Sequence, residues 1–272
     1  MLIGDYFHKI NSKYKRHNFS DLSFNSTLCK KGSIFFAIKG NRFDGNKYIE
    51  KAILNGAKTI ISNKEFEGFK KKVLYLNSKN VRRTLSEISY RIFKQRPKNL
   101  IAVTGTNGKS SVADFYFQIL KFNNKRAASI GTLGIQTINT KTKVANTTLN
   151  PIELGSCLEN LKKRKIDNVI LEASSHGLDQ HRLDGLTFKT GIFTNLSRDH
   201  LDYHKSYNNY LHSKLYLFKK LLKKNSNIIT DYEIKEFKKI KSIAIKRKFN
   251  LESINSDKNG LRIISHKYIQ GK

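Results

Sequence analysis

Short apolar runs bounded by turn-forming residues alternate with longer stretches in which apolar residues recur every three or four positions, the pattern of strands alternating with helices. Ile34 to Ile38 reads as a strand, Asn46 to Asn55 as an amphipathic helix and Lys58 to Ser62 as a second strand. Val73 to Asn77 is another strand, followed by a helix from Val81 to Phe93. At Gln95-Arg96-Pro97-Lys98 the pattern breaks, because the proline ring disfavours helical geometry in the residue before it. A domain boundary placed there gives one α/β domain over residues 1–97 and another over 98–272.

The second block opens with a strand, Leu100 to Thr104, that runs into Gly105-Thr106-Asn107-Gly108-Lys109-Ser110-Ser111 and a helix reaching Phe122. Further strands are expected at Val169 to Ala173, Gly191 to Thr194, Asn227 to Thr230 and Ser242 to Ile245, with helices at Ile152 to Lys163 and Tyr207 to Leu222. The fold class is therefore α/β: a small N-terminal α/β domain followed by a central domain with a mostly parallel sheet. Ligands of such sheets gather at the carboxyl ends of the strands.

A strand, a glycine-containing loop and a helix in that order are what a phosphate-binding loop requires. Glycines let backbone amides approach phosphate oxygens, the helix start adds its positive dipole end, Lys109 supplies a point charge and Ser110 can hold Mg²⁺. Val103 stands where the common GxxxxGK[ST] form has its first glycine. The competing reading is an ordinary strand-to-helix turn with a chance lysine.

Composition changes this picture in one respect. A net charge of +31, from 52 Lys and Arg against 21 Asp and Glu, would ordinarily point to nucleic acid. Here the charge is spread along the chain, and the aromatics show none of the interleaving that base stacking needs. The densest runs, Lys70-Lys71-Lys72 and Lys219 to Lys224, read as solvated faces. No specific nucleic-acid partner is expected, although the basic field should draw in anionic nucleotides. Cys29 and Cys157 are far apart, without metal-ligand spacing. No apolar run is long enough to span a bilayer and the start MLIGDYFHKI lacks signal-peptide character, so a cytoplasmic protein without a membrane partner is expected.

Two polar strings come directly after predicted strands: Glu172-Ala173-Ser174-Ser175-His176-Gly177-Leu178, with Gln180 and Arg182 beyond, and Asn195-Leu196-Ser197-Arg198-Asp199-His200-Leu201-Asp202-Tyr203-His204. A carboxylate and an imidazole at adjacent strand ends beside a phosphate loop can hold a divalent cation. Alone, Glu172 reads equally well as a buried ion pair and His200 as a structural hydrogen-bonding residue.

TGTNGKSS at 104–111, NTT at 146–148, LEASSHGLDQHR at 171–182 and FTNLSRDHLDYH at 193–204 resemble the Mur ligase family, in the branch that adds meso-diaminopimelate or L-lysine to UDP-N-acetylmuramoyl-L-alanyl-D-glutamate. The stretch FNSTLCKKGSIFFAIKGNRFDGNKYI at 24–49 resembles the family's uridine-binding region. The resemblance implies that Gly105, Thr106, Asn107, Gly108, Lys109, Ser110 and Ser111 bind ATP, with Ser110 and Glu172 near one Mg²⁺. His200 and Lys214, the latter as a carbamate, would serve a second; with Lys109 and Glu172 these are the implied catalytic residues. Ser26, Asn41, Arg42 and Phe43 would meet the UDP end, and Asn146, Thr147, Thr148, Ser174, Gln180 and Arg182 the muramyl-dipeptide. Asn25 and Thr27 replace the Asp and Arg usual around the serine, and Leu149-Asn150-Pro151 displaces the proline usual after the threonines.

The implied reaction phosphorylates the D-glutamyl side-chain carboxylate with ATP, after which the incoming amine attacks the acyl phosphate. The chain stops at Tyr268-Ile269-Gln270-Gly271-Lys272, which resembles a motif still inside the family's central domain. The site for the incoming diamino acid is expected to lie outside these residues, in a third domain or a separate chain. The chain by itself would then bind nucleotide without completing ligation. A non-catalytic module binding nucleotide or the UDP precursor is the alternative.

Overall fold

The computed structural model describes residues 1–7, 10–40 and 43–255, and its chain divides into two compact units. The first holds Met1–Lys94 together with Pro151–Cys157 and Gln180–Gly185; the second holds Gln95–Asn150, Leu158–Asp179 and the chain from Leu186. A single cut at Pro97 therefore misses two later segments that join the first unit.

In the first unit, β1 (Leu22–Ser23), β2 (Ile34–Phe36), α1 (Ile49–Leu54), β3 (Thr59–Ser62), β4 (Gly68–Lys70), β5 (Val73–Asn77) and α2 (Val81–Ile92) succeed one another. The strands order as β1-β2-β3-β5-β4, parallel except for β4, which pairs antiparallel with β5. Alternate side chains of β2 enter two cores. Ile34 and Phe36 pack with Ile3, Leu74, Leu76, Leu85 and Ile88, whereas Phe35 packs with Ile49, Ala52 and Ile60 on the other face. The segment expected as one helix from Asn46 begins as a 3-10 turn, Gly45–Tyr48, in which Asp44 accepts from the Asn46 amide, before α1 starts. Lys71 and Lys72 take the left-handed turn between β4 and β5 and are exposed.

The second unit runs β6 (Asn99–Thr104), α3 (Lys109–Phe122), β7 (Ala127–Gly131), β8 (Gly134–Thr137), β9 (Lys141–Thr142), the second half of α4 (Pro151–Lys163, which up to Cys157 belongs to the first unit), β10 (Asn168–Glu172), α5 (Ser175–Asp179), β11 (Phe188–Phe193), α6 (Leu201–His204), α7 (Tyr207–Tyr216), β12 (Leu222–Asp231), α8 (Phe237–Arg247) and β13 (Asn250–Ile254). Among the described residues the sheet orders as β13-β12-β11-β6-β10-β7-β8-β9, parallel from β13 to β7 and antiparallel at β8 and β9. The chain leaves central β6 on one side, through α3 to β7, and later fills the other side with β11. The carboxyl ends of β6, β10 and β11 thus meet at a topological switch point, the usual ligand crevice of an open parallel sheet.

Sequence and structure part at three places. Ser242 to Ile245, expected as a strand, lies inside α8, where Phe237, Ile240 and Ala244 are buried at helical spacing while Ile245 is exposed. The terminal strand is β13 instead. The helix expected to reach Leu222 ends at Tyr216, continues as one π-helical turn, Leu217–Leu221, and yields to β12 at Leu222. The β7–β8–β9 meander was not anticipated, because Ala127-Ala128-Ser129 offers little apolar contrast.

Candidate active site

Val103, the residue in place of a loop glycine, is fully buried inside β6 with Glu172 and Ile192 as its register partners. The reversal falls at Gly105, with φ +149°, and Gly108, with φ +81°, which caps α3. A Cβ on Gly105 would lie 1.9 Å from Thr194 Oγ1, so the loop packs against the end of β11 at a distance only glycine permits. The same segment supports the loop from below. Asn195 O accepts from the Thr106 amide at 2.9 Å and Asn195 Oδ1 from the Asn107 amide at 3.0 Å.

One cavity of about 280 Å³ collects the chemistry: Thr106, Asn107, Gly108, Lys109, Ser110, Ser111, Thr132, Thr147, Glu172, Ser174, Ser175, His200, Tyr210 and Lys214 line it. Lys109 Nζ donates to the Gly105 carbonyl at 3.0 Å and to the Thr106 carbonyl at 2.7 Å. Burial pulls its ammonium below the usual lysine value, against the opposing fields of Glu172 and Asp199.

Glu172, only 2% exposed, ends β10. Its carboxylate accepts from the Thr132 amide at 2.8 Å and the Thr132 hydroxyl at 3.2 Å, and a Cβ on Gly131 would fall 2.1 Å from Oε1. Thr148 Oγ1 donates to the Glu172 carbonyl at 2.8 Å and meets Ser174 Oγ at 2.9 Å, while Thr132 Oγ1 meets Thr147 Oγ1 at 3.1 Å. A short hydroxyl network therefore joins the NTT segment to the end of β10. Asn146 is exposed at its edge.

Lys214 is the most unusual residue here, a lysine only 1% exposed. Its Nζ donates to the Gly105 carbonyl at 2.6 Å and sits 4.4 Å from the centroid of Tyr210. Burial first, and then Lys109, push its pKa down to about 7, with Asp199 pulling the other way. His200, in the left-handed region at φ 51°, places Nε2 3.4 Å from Asp199 Oδ2. It stands in a ring column with His176, Tyr203, His204 and Tyr210; His176 lies 4.9 Å from His200 and His204 5.1 Å from Tyr210, centroid to centroid. Burial lowers the pKa of His204, and among the described residues its Nε2 has no hydrogen-bond partner.

Among the described residues no three His, Cys, Asp or Glu side chains converge as metal ligands. Glu172 and His200 both line the cavity without a third such ligand converging on them, so a hard cation would take its remaining ligands from hydroxyls, water or phosphate oxygens, as Mg²⁺ commonly does. The oxygens of Ser110 and Glu172 suit that ion.

A larger cavity of about 880 Å³ opens at Asn195, lined by Asn195, Leu196, Ser197, Arg198, Tyr207, Glu233, Ile234, Lys235, Glu236 and Lys239. Tyr207 donates to Glu236 Oε1 at 2.6 Å; burial and this bond push the phenol pKa up to about 12.

The remaining expected substrate residues belong to the first unit. Ser26 is buried in the turn Ser26–Leu28, where Asn25 Oδ1 accepts from the Thr27 amide and hydroxyl, and its carbonyl accepts from Asn55. Asn25 and Thr27, which replace the usual Asp and Arg, thus bond to each other. Phe43 is 71% exposed; Asn41 and Arg42 lie outside the described residues. Gln180 Oε1 accepts from Arg182 at 2.8 Å and from Arg82 at 3.4 Å. Tyr210 and Thr132 line the cavity although nothing in the sequence singled them out. Thr132 lies at the unanticipated β7–β8 turn, and Tyr210 is one apolar position among many in a helix.

The Mur ligase middle-domain profile matches residues 103–270, and the profile for the Mur ligase family catalytic domain matches residues 18–91. The chain belongs to the Mur ligase family. UDP-N-acetylmuramoyl-L-alanyl-D-glutamate--2,6-diaminopimelate ligase of Rickettsia conorii is 39% identical over 238 residues, 86% of this chain and 49% of the relative. The ligase of the same name from Bradyrhizobium diazoefficiens is 39% identical over 201 residues, 74% of this chain and 41% of that protein. A solved structure of such a ligase superposes with TM-score 0.80 at 27% identity, over 94% of this chain and 53% of that one. MurF ligase from Thermotoga maritima in complex with ADP shares the fold, with TM-score 0.56 at 19% identity over 86% of this chain and 50% of that one. The chain thus spans about half the length of the curated relatives it matches. Among the described residues no helix is long and apolar enough to cross a membrane.

Proposed function

We propose that the chain acts in ATP-dependent amide ligation on a peptidoglycan precursor, adding a third amino acid to UDP-N-acetylmuramoyl-L-alanyl-D-glutamate through an acyl phosphate. The observation that carries this reading is the meeting of Lys109, Ser110, Glu172, His200 and Lys214 in one cavity at the carboxyl ends of β6, β10 and β11. The loop amides and Lys109 would take the ATP phosphates. The cavity at Asn195 would take the nucleoside. Glu172 and Ser110 would hold one Mg²⁺, His200 and a carbamylated Lys214 a second; the ions neutralise phosphate charge when bound.

Carbamylation suits Lys214 because a pKa of about 7 leaves much of the amine neutral at that pH. The Nζ lone pair of the neutral amine would attack the carbon of CO₂, one N–H proton would leave to solvent, and the neutral side chain would become an anion with two oxygens. Thr147, Thr148 and Ser174 would orient the dipeptide, and the D-glutamyl carboxylate would attack the γ-phosphorus with ADP as leaving group. The amine of the incoming residue then displaces phosphate from the acyl phosphate. These residues hold charges and reactants in place, and none is a nucleophile toward substrate.

Calorimetric titration tests this reading. The chain is titrated with Mg²⁺ and the non-hydrolysable ATP analogue AMPPNP, then with UDP-N-acetylmuramoyl-L-alanyl-D-glutamate against plain UDP. Saturable AMPPNP binding that Lys109→Ala abolishes, together with preference for the dipeptide precursor, supports the reading. Equal heats for precursor and UDP remove the substrate assignment.

A further inference from the structure

Tyr210 is fully enclosed at 1% exposure, yet two functional groups lean on it from different directions. Its hydroxyl meets Thr106 Oγ1 at 3.1 Å, and its ring face carries Lys214 Nζ at 4.4 Å. Thr106 Oγ1 also accepts from the Ser197 amide at 3.0 Å and faces the Ser197 carbonyl at 3.4 Å. A hydroxyl has one proton and two acceptor sites, so with Thr106 donating to Ser197 and Tyr210 donating to Thr106, every position on that oxygen is used. Lys214 in turn bonds the Gly105 carbonyl at 2.6 Å. Of the adjacent loop residues, Gly105 is therefore held to α7 by Lys214 and Thr106 by Tyr210, whose ring lies against that lysine.

We propose that Tyr210 is a positioning residue for the phosphate loop: its hydroxyl and ring face tie Thr106 and Lys214 together, so that the loop amides and the buried lysine are set as one unit. The orientation of the Gly105–Thr106 and Thr106–Asn107 peptides decides where the loop amides point, and an anion-binding loop works only while those amides converge. Asn195 fixes the amide side of the same peptides. Lys109 and Lys214 hold the Gly105 carbonyl and Lys109 the Thr106 carbonyl, while Tyr210 fixes the Thr106 side chain, a task the Asn195 contacts leave undone. Its role in nucleotide affinity rests on the reading under Proposed function; its hold on the loop does not.

Amide hydrogen exchange of the ligand-free chain tests the hold directly. Tyr210→Phe keeps the ring under Lys214 and removes only the hydroxyl. Exchange at Thr106 and Asn107 should accelerate about tenfold, the net worth of one buried hydrogen bond, while β7 and α2 exchange as in the native chain. Thr106→Val should reproduce this, Thr106→Ser should restore native exchange, and Tyr210→Phe/Thr106→Val should exchange no faster than the worse single variant. AMPPNP should bind about tenfold more weakly to Tyr210→Phe. Tyr210→Leu, which also removes the ring, should weaken it further. Loop exchange within twofold of native in Tyr210→Phe, additive losses in the double variant, or acceleration spread evenly over the whole unit would each overturn the proposal. A native chain that fails to bind AMPPNP would defeat the nucleotide reading, and the exchange results would still decide on Tyr210.

Discussion

Both units are built on mostly parallel sheets, but their strand ends are used differently. In the first unit the ends of β3 and β5 are consumed locally. Ser62 Oγ accepts from the Lys64 amide at 3.3 Å, and Asn77 donates to the Lys64 carbonyl at 2.7 Å while its own amide donates to Glu67. In the second unit the ends of β6 and β10 lead instead to Lys109 and Glu172 beside an open cavity, with Lys214 buried behind them. A polar group that closes a turn stabilises the fold, whereas a charged group held at a cavity by a few oriented bonds costs desolvation and awaits a partner. The contrast supports the second unit's strand ends as the candidate chemical site, independently of any motif.

Filling the closest approach in the loop should have the largest effect. Gly105→Ala puts a Cβ 1.9 Å from Thr194 Oγ1 and forces a side chain onto φ +149°. Strain and overpacking together should cost roughly 3 kcal/mol, read as a lower urea midpoint. AMPPNP binding should fall below detection. Native-like affinity in this variant would break the contrast, since the loop would then not depend on its approach to β11.

Glu172→Gln should act on function with little effect on folding, because an amide oxygen can still accept from Thr132. If Glu172 is held ready for a cation, Mg²⁺ should strengthen AMPPNP binding to the native chain by about tenfold, roughly 1.4 kcal/mol, and should not strengthen binding to the variant. Titrations with and without Mg²⁺ check this. Equal Mg²⁺ gains in both proteins would leave Glu172 with a structural role only.

Much of this site was legible in the sequence because strand ends and glycine loops are set by local pattern. The phosphate loop, Glu172 and His200 each stand within a few residues of the end of an apolar run, and the structure brings them to one cavity. Lys214 was legible only through family resemblance. Burial of one lysine among 52 basic residues leaves no trace in composition or periodicity. Thr132 and Tyr210 act through tertiary contact: Thr132 reaches Glu172 across 40 positions and Tyr210 reaches Thr106 across 104. Ser242 to Ile245 failed for a different reason, since four residues cannot tell a strand from one turn of an amphipathic helix. The recruitment of Pro151–Cys157 and Gln180–Gly185 into the first unit is likewise a matter of packing, which no local signal announces.

Lys214 should also make stability depend on pH in a direction opposite to that of an acid-paired surface lysine. Its value is about 7 in the folded chain against 10.5 as the ordinary value. Below pH 7 both states hold the proton and the fold bears the full cost of a buried cation. Between about pH 7 and 10 the unfolded state binds the extra proton, so stability rises with pH, by at most about 1.4 kcal/mol per unit. Lys109, shifted the same way, adds to the trend. Lys214→Met should flatten the profile between pH 7 and 9 and leave stability at pH 7 equal or higher, because Lys109 still donates to the Gly105 carbonyl. A profile as steep in the variant as in the native chain would place the titration elsewhere.

The smallest effect is expected from the first unit and sharpens the contrast from the other side. Asn77→Ala removes the 2.7 Å bond that closes the chain between β3 and β4 onto the end of β5. The site is partly exposed, so water can replace the lost donor, and the cost should be about 1 kcal/mol in urea denaturation. AMPPNP affinity should not change, because the bond closes a turn and orients nothing at the cavity. A loss of affinity larger than the loss of stability would mean that strand ends in the first unit also serve the nucleotide, and the division of labour argued from their hydrogen bonds would fail.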